Sequence, residues 1–423
     1  MLDIKFIREN SELIKLGAAK KKISFDVENL IRVDDKRLGL LKEVEELRAK
    51  QNEVSTRITT AGALERAIMI EDMKAVKDEL KKKEEDLEHS MKEWRTLMLA
   101  VPNIPDMSVP EGKDDSENLE VKKWGELPNF DFPLRNHIEI MEAQEMADFE
   151  RGTKIAGFRG YFLKGDGALL TFAIWQLALK HFASKGLTPM LVPSLVRKEL
   201  LVGSGYLPQG EDDLYKTQDE EYLAGTGEVA TMGYYMGEQI DITEGPKTFL
   251  SFSPCFRREA GAHGKDVKGL IRVHEFFKWE QVVLCEASHE ESVRLHEWIN
   301  RNTEEFIELL GIPYHTVVNC GGDLGLGQVK KYDIELWVPG ENTYREISSA
   351  SYFHDFQTRR LNIRYKDNEG KLRYAHSLNC TAIPTPRILV SIVENYQQKD
   401  GTIKVPEALV PFIGKEVLGK PVF

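Results

Sequence analysis

The chain has 423 residues, of which 41% are hydrophobic and 30% are charged, and its formal net charge is −12. This length suits two domains, at about 100 to 200 residues each. No stretch approaches the ~20 apolar residues of a membrane span and the N-terminus has no apolar secretory segment, so we expect a cytoplasmic protein with no membrane partner. The negative charge excludes a protein that coats nucleic acid indiscriminately, but clustered cations can still bind RNA.

The four cysteines are widely spaced and form no CxxC pair. Zinc and dithiol redox sites depend on such pairs, so the spacing favours neither. We interpret Cys255, Cys285, Cys320 and Cys380 as small hydrophobic residues.

Two heptad seams lie within the first hundred residues. Residues 40–58 repeat in a 4-3-4-3-4 spacing, and a closely similar spacing continues over residues 73–98. Such spacing is typical of coiled coils. The stretch 59–63 contains Gly62 and belongs to neither seam, which predicts an antiparallel hairpin with limbs of about 30 residues, or ~45 Å.

Basic residues are predicted on the exposed faces of this hairpin. They are Lys42, Arg48, Lys50, Arg57, Lys74, Lys77, Lys81, Lys82 and Arg95. One interpretation is a solvated coiled coil whose charges only maintain solubility. The other is a rigid arm that places cations along a phosphate backbone. The residues alone leave both open.

Beyond the hairpin the composition changes. Pro102 and Pro105 end the helix, and the connector that follows is rich in charge. We therefore predict an N-terminal domain at residues 1–105, a linker at 106–120 and a second domain at 121–423. Within the second domain we predict helices at 139–149 and 169–185 and strands at 189–192, 248–252, 282–285, 314–318 and 334–338. Consecutive strands with few crossover helices favour an α+β fold, a largely antiparallel sheet flanked by helices.

Arginines flank a predicted hairpin in this domain. Arg257 ends one strand and Arg272 begins the returning one, so their guanidiniums are expected to lie close together. Guanidiniums suit phosphate oxygens, and Phe276 nearby can stack on a nucleobase. The chain has no GxxxxGK[ST] motif and no GxGxxG motif after a strand, so nucleotide binding would need another route. An ordinary surface hairpin is the alternative.

A third arginine lies at a predicted helix start. Thr385 is predicted as the N-cap, Pro386 as the first helical residue and Arg387 in the first turn. A cation there opposes the helix dipole, so we expect an anionic partner.

An acidic segment follows the strand predicted at 334–338. In a regular strand Glu346 and Ser348 point one way and Ser349 the other, unless a bulge intervenes. Carboxylate and hydroxyl oxygens suit Mg²⁺ that bridges phosphates. A polar strand edge is the alternative.

Taken together, these segments resemble the class II aminoacyl-tRNA synthetases, and among them the seryl-tRNA synthetases. The matching segments are the opening at 1–10, the hairpin, the connector at 102–105, motif 1 at 186–193, motif 2 at 256–276 and motif 3 around Arg387, followed by 394–397. The resemblance implies a class II catalytic core at 121–423 and a homodimer formed through motif 1. It also implies that the hairpin binds tRNA(Ser).

The implied reaction activates L-serine with ATP to seryl-adenylate and pyrophosphate, then transfers serine to the 3′-terminal adenosine of tRNA(Ser). The family resemblance also allows a selenocysteine tRNA as a second tRNA substrate. The implied ATP-binding residues are Arg257, Arg258, Glu259, Arg272, Val273, Phe276, Glu346, Ile347, Ser348, Ser349 and Arg387. The implied serine-binding residues are Thr226, Gly227, Glu228, Arg257, Glu280, Asn379 and Thr381.

The resemblance also implies individual roles. Arg257 would bind the α-phosphate of ATP and Arg387 the γ-phosphate, and these two are the implied catalytic residues. Glu259 would bind the adenine amino group while Phe276 stacks on the ring. Mg²⁺ would bind Glu346 and Ser349 together with ATP.

The chain departs from the family pattern at two places. Gly227 stands where the family commonly has alanine, and the usually glycine-rich motif 3 contains Thr381, Pro384 and Pro386. Thr381 retains a hydroxyl where serine recognition requires one. The rival interpretations are a non-catalytic tRNA-binding paralogue, a carrier-protein ligase and a synthetase for threonine or alanine. The arginines disfavour the first, and the hairpin disfavours the other two.

Overall fold

The computed structural model describes residues 1–59, 62–262, 264 and 266–422, without the side chains of residues 63, 65 and 67. The chain divides into two compact units, one of Met1–Ala19 and Ile23–Ile104, the other of Lys20–Lys22 and Pro105–Phe423. The N-terminal helices are α1 Ile4–Glu9, α2 Ser11–Lys20, α3 Val27–Ile58 and α4 Ala63–Ala100.

Helices α3 and α4 pack antiparallel along the predicted seams. Val44 on α3 and Met73, Val76 and Leu80 on α4 are buried, and the residues that flank the seams are mostly exposed. The Asp26 side chain caps α3 by accepting from the amide of Asn29 at 2.9 Å. The coiled-coil hairpin prediction is confirmed. Of its predicted turn, Thr60 and Ala61 lie outside the described residues.

The second unit combines short helices with a large sheet. Its helices are α5 His137–Ala143, α6 Phe149–Ala156, α7 Asp166–Ser184, α8 Lys198–Ser204, α9 Gly227–Gly233, α10 His289–Leu309, α11 Phe356–Leu361, α12 Arg387–Asn395 and α13 Val410–Ile413. Its first strands are β1 Leu119–Trp124, β2 Ala147–Asp148, β3 Phe162–Leu163, β4 Thr188–Leu191, β5 Leu195–Val196, β6 Tyr215–Lys216, β7 Tyr222–Leu223, β8 Lys247–Phe256 and β9 Glu275–Cys285. The remaining strands are β10 Tyr314–Val318, β11 Lys330–Val338, β12 Thr343–His354, β13 Arg364–Lys366, β14 Leu372–Tyr374, β15 His376–Thr385, β16 Ile403–Lys404 and β17 Val417–Leu418.

The main sheet has the order β1-β10-β11-β12-β15-β9-β8-β4, and its pairs are antiparallel except β4 with β8. This confirms the predicted α+β class and antiparallel sheet. Helix α10 covers one face through Leu295 and Ile299, which join a buried cluster with Val283 and Tyr352. The opposite face of the central strands presents Ser251, Glu280 and Thr381.

The helix predicted at 139–149 is wrong beyond residue 143. Helix α5 ends at Ala143, and Glu145 takes a φ of 53°, which no α-helix continues. The chain then pairs as β2 before α6 begins at Phe149. The prediction failed because the apolar pattern runs through a turn that uses a non-glycine residue. Within the described ranges, no helix has the length and apolar character needed to cross a membrane.

Candidate active site

Strands β8, β9 and β15 place a row of polar side chains on the face opposite α10. Ser251 lies opposite Glu280, and Glu280 lies opposite Thr381 on the next strand. Lys278, two residues before Glu280, lies opposite Ser253. Directly opposed residues share a face of the sheet, so these residues converge on one floor.

A β-bulge adds an acidic group to this floor. In the pairing of β11 with β12, Ile334 pairs with Ser348 and Glu335 pairs with Glu346, which leaves Ile347 as the extra residue. Asp333 pairs with Ser349. Because Asp333 and Glu335 share a face, Glu346 and Ser349 share it too.

The cleft above the floor brings together most of the predicted ATP-binding residues. It is lined by Arg257, Glu259, Leu270, Ile271, Arg272, Val273, Phe276, Lys278, Glu346, Ile347, Thr381, Pro384, Thr385, Pro386 and Arg387. The Arg257 guanidinium lies 5.4 Å from the centre of the Phe276 ring, and its Nε donates to the carbonyl of Gly225 at 3.4 Å. These contacts fix an arginine beside an aromatic face.

Arg387 is held by backbone carbonyls. Its Nε donates to Ile271 O at 2.9 Å and its Nη1 to Glu346 O at 2.8 Å. Burial lowers the pKa of Arg387, Glu346 opposes that change, and the cations Arg257 and Arg272 reinforce it. Three guanidiniums therefore crowd one cleft, an arrangement that an anion stabilises.

The loop after β8 carries its own ion pairs. Arg272 pairs with Glu259, and its Nε lies 3.6 Å from Asp266 Oδ2. Arg345 also donates to Asp266 Oδ1 at 2.8 Å. Glu259, with a φ of 54°, is thereby held at the cleft.

The acidic group fits a magnesium ion that is shared with a ligand. Within the described ranges, no cluster of three or more His, Cys, Asp or Glu side chains could hold a metal. Glu346 is exposed and Ser349 shares its face, and Mg²⁺ needs only one or two carboxylates when phosphates and water complete its shell. Asp333, 5% exposed and on the same face, has an Oδ1 atom that accepts no hydrogen bond from the described residues. Hard oxygen donors are thus present.

The inner end of this cleft forms a polar pocket around Lys278, a residue that sequence reasoning missed. Its ammonium, on a residue 5% exposed, donates to Thr226 Oγ1 at 2.9 Å and to Thr381 Oγ1 at 3.4 Å, and it pairs with Glu280. Thr381 Oγ1 donates to Glu280 Oε2 at 3.4 Å. Lys278 could have been identified from the sequence, because side chains two positions apart in a strand point to the same face and Glu280 was already predicted in the site.

Glu228, in the first turn of α9, is 2% exposed and its carboxylate faces neutral donors. Gln357 Nε2 donates to its Oε1 at 2.7 Å and the Tyr206 hydroxyl donates to its Oε2 at 3.1 Å. Burial raises the pKa of Glu228, and the hydrogen bonds from Gln357, Asn379 and Tyr206 oppose that rise. A cationic ligand would stabilise this carboxylate.

Three predicted positions differ in the structure. Arg258 lies outside the cleft, because its guanidinium donates to Asp212 O at 3.1 Å on the other side of the chain from Arg257. Ser348 faces α10 and donates to Thr381 O at 2.5 Å. Thr385 is not the N-cap of α12: it ends β15, its hydroxyl bonds Trp175 Nε1 and Phe277 O, and Pro386 occupies the cap.

The remaining predicted residues lie around the two pockets. Gly227 begins α9, and a Cβ there would lie 3.3 Å from the Ser251 side chain, a tight contact. Asn379 is on β15 opposite Ser351. Tyr206, Gln357 and Ser377 were missed, and no sequence signal links these distant segments.

Chemically, the cleft presents guanidiniums and an aromatic ring beside hard oxygen donors. The adjoining pocket presents two carboxylates, one lysine and hydroxyl groups. This arrangement suits a nucleotide triphosphate next to a small molecule that carries an ammonium and a hydroxyl group.

Comparisons with known proteins agree with this chemistry. The family model described as "tRNA synthetase class II core domain (G, H, P, S and T)" matches residues 213–396, and "Seryl-tRNA synthetase N-terminal domain" matches residues 1–105. The serine–tRNA ligase of Deinococcus radiodurans is 46% identical over 100% of both chains. The seryl-tRNA synthetase of Pyrococcus horikoshii, solved in complex with ATP, superposes with a TM-score of 0.89 at 36% identity over 100% of both chains. The cytoplasmic serine–tRNA ligase of Naegleria fowleri, solved in complex with AMP, gives 0.85 at 31% identity over 99% of both chains.

Proposed function

The chain belongs to the seryl-tRNA synthetase family, and we propose that the cleft and its adjoining pocket carry the family's activity, the ATP-dependent ligation of serine to tRNA. The observation that carries this assignment is the convergence of Arg257, Arg387 and Phe276 with the pocket of Thr226, Glu228, Lys278, Glu280 and Thr381. A non-catalytic paralogue is not supported, since full-length relatives are ligases and the phosphate-binding side chains are in place.

ATP binds in the cleft. Arg257 donates to the α-phosphate while Phe276 stacks on adenine, and Arg387 binds the γ-phosphate from the start of α12. Glu259, held by Arg272, accepts from the adenine amino group. The guanidiniums stabilise negative charge as the serine carboxylate attacks the α-phosphorus and pyrophosphate leaves, so no protein nucleophile is required.

Serine binds in the adjoining pocket. Its ammonium lies near Glu228 and Thr226, which supply a buried carboxylate and a hydroxyl oxygen. Its hydroxyl lies near Glu280 and Thr381, with which the methyl group of alanine could form no hydrogen bond, so the pocket favours serine. Lys278 neutralises Glu280 and thereby leaves Glu228 as the carboxylate that a substrate cation balances.

Glu346 and Ser349 would hold Mg²⁺ together with ATP. The ion supplies positive charge to the phosphate oxygens when bound. Arg387 supports the site from the protein side, since it fixes the backbone carbonyl of Glu346.

The hairpin of α3 and α4 binds tRNA. Its support is the set of lysines and arginines predicted on the outer faces, all of which are exposed, on two helices that pack along their apolar seams. We assign residues 1–105 to this arm, 106–120 to a linker and 121–423 to catalysis.

The protein forms a homodimer through the surface around α7 and motif 1. Leu191 is 83% exposed, Phe172 is 56% exposed and Leu169 and Phe162 are also exposed. Phe162 and Phe172 line a groove together with further aromatic residues, among them Phe158, Trp175 and Phe277. Apolar side chains at this density mark a protein interface.

A panel of amino acids in the pyrophosphate exchange assay tests the function. Exchange of label into ATP should require serine. Equal exchange with threonine or alanine, or no exchange with any amino acid, would contradict the assignment.

A further inference from the structure

A buried glutamine links three elements behind the serine pocket. Gln357 on α11 is 1% exposed, and its Nε2 donates both to Glu228 Oε1 at 2.7 Å and to Ser204 O at 3.1 Å. Its Oε1 accepts from Ser377 Oγ at 2.7 Å. The amide therefore joins the first turn of α9, the last residue of α8 and β15.

The partners of Gln357 allow only one orientation of its amide. A carboxylate and a backbone carbonyl both accept hydrogen bonds and cannot donate them. A flipped amide would place its oxygen against the oxygens of Glu228 and Ser204, leaving three buried acceptors without a donor. The NH₂ group is thus fixed towards Glu228.

The backbone near Ser204 brings a second donor to the same carboxylate. Gly205 follows α8 with a φ of 94°, a left-handed conformation that glycine adopts at little cost. The chain turns there, so Tyr206 reaches Glu228 Oε2 at 3.1 Å while Ser204 O faces Gln357. Both carboxylate oxygens are then held by neutral donors.

We infer that Gln357 is a positioning residue for serine recognition, which holds the Glu228 carboxylate in place and keeps it an acceptor for the substrate ammonium. The inference rests on the proposed function of the pocket. Gln357 acts through Glu228, and Ser377 acts through Gln357 by fixing its oxygen.

The donors that hold the Glu228 carboxylate are neutral groups. The titratable groups that face it are Tyr206 beside α8, whose hydroxyl donates to its carboxylate, and Glu280 on β9, whose negative charge raises its pKa. Lys278 is paired with Glu280, and α11 and β15 contribute the neutral groups of Gln357, Ser377 and Asn379. Loss of the Gln357 donor would favour the protonated form of Glu228, because that hydrogen bond lowers a pKa that burial raises.

The test compares full-length Gln357→Met with wild type and with Gln397→Met. Methionine keeps the length of the side chain but cannot donate. Gln397 is a matched control, 5% exposed, whose Nε2 donates to Arg135 O at 3.1 Å and to Glu394 O at 3.0 Å, away from the serine pocket. Serine dissociation constants from calorimetry, and KM values for serine and ATP from pyrophosphate exchange, are measured from pH 6 to pH 8.5.

We expect Gln357→Met to weaken serine binding about tenfold or more, with the KM for ATP within about twofold of wild type. Its KM for serine should rise further as the pH falls, whereas that of wild type and Gln397→Met should stay nearly flat. A wild-type serine KM and pH profile in Gln357→Met would overturn the inference. If Gln357→Met does not fold, Ser377→Ala decides: an increase of about threefold in the serine KM alone supports the inference, and an unchanged value overturns it. Failure of wild type to activate serine would instead contradict the proposed function.

Discussion

Replacement of Arg257 by alanine is the most direct test of the phosphate site. The guanidinium is placed beside Phe276 at 5.4 Å and is braced by one carbonyl contact at 3.4 Å, so its remaining N–H groups face the cleft. A hydrogen bond to a charged group contributes about 1.5–3 kcal/mol, so two bonds to the α-phosphate contribute about 3–6 kcal/mol. At about 1.4 kcal/mol per factor of ten, Arg257→Ala should lower kcat/KM by about 10² to 10⁴.

The assay is serine-dependent pyrophosphate exchange, with tRNA binding measured separately. Arg258→Ala is the matched control, because Arg258 is adjacent in sequence but donates to Asp212 O outside the cleft. Its exchange rate should stay within about threefold of wild type, and tRNA binding should be largely unchanged in both variants. Adenylate formation at the wild-type rate by Arg257→Ala, or equal losses in the two variants, would refute the phosphate role.

Other predictions test the remaining parts of the molecule. Thr381→Ala should reduce the preference for serine over alanine about tenfold in the exchange assay, because Glu280 loses a hydroxyl partner; an unchanged preference would contradict this. Deletion of residues 40–97 should preserve adenylate formation and abolish tRNA charging, and normal charging would refute the role of the arm. Leu191→Glu should shift the protein to a monomer in light scattering, since it places a charge in an exposed apolar surface; an unchanged mass would exclude this surface as the interface. Burial lowers the pKa of His296 to about 4, below its ordinary ~6.5, so the folded state binds fewer protons and stability should fall by up to about 3 kcal/mol as pH drops from 6.5 to 4. Urea unfolding of wild type and His296→Gln between pH 6.5 and 4 measures this loss. The same dependence of unfolding free energy on pH in both proteins would contradict it.

The parts of the fold that were predicted correctly have repetitive patterns. The seams of α3 and α4 could be counted because one apolar stripe repeats over many turns, and β10 was predicted with its observed bounds, residues 314–318. The helix predicted through Glu145 was wrong because Glu145 adopts a positive φ. Glutamate is common in helices, so the residue type gave no sign of this turn. Thr385 is a good N-cap by type, but tertiary bonds to Trp175 and Phe277 keep it in β15.

The candidate site was predicted where chemistry and motif coincide. Arg257 and Arg387 are unusual residues in their local contexts, and the structure brings both to the cleft. Gln357 and Tyr206 could not be identified in this way, since their importance depends on contacts between segments far apart in the chain. Arg258 was also predicted to bind ATP, and only the structure shows that its guanidinium donates to Asp212 O outside the cleft.

The bulge at Ile347 has a consequence for how protein sequences are compared and edited. In an unbroken strand, residues on one face are separated by an even number of positions, whereas Glu346 and Ser349 are three apart and share a face. Two residues of a strand that are an odd number of positions apart and share a face therefore indicate a bulge between them. Deleting Ile347 would remove one core side chain and leave Glu346 and Ser349 two positions apart, which is the spacing that keeps two residues on one face of a regular strand. A single-codon deletion at this position would thus straighten the strand and still leave the two oxygen donors on one face.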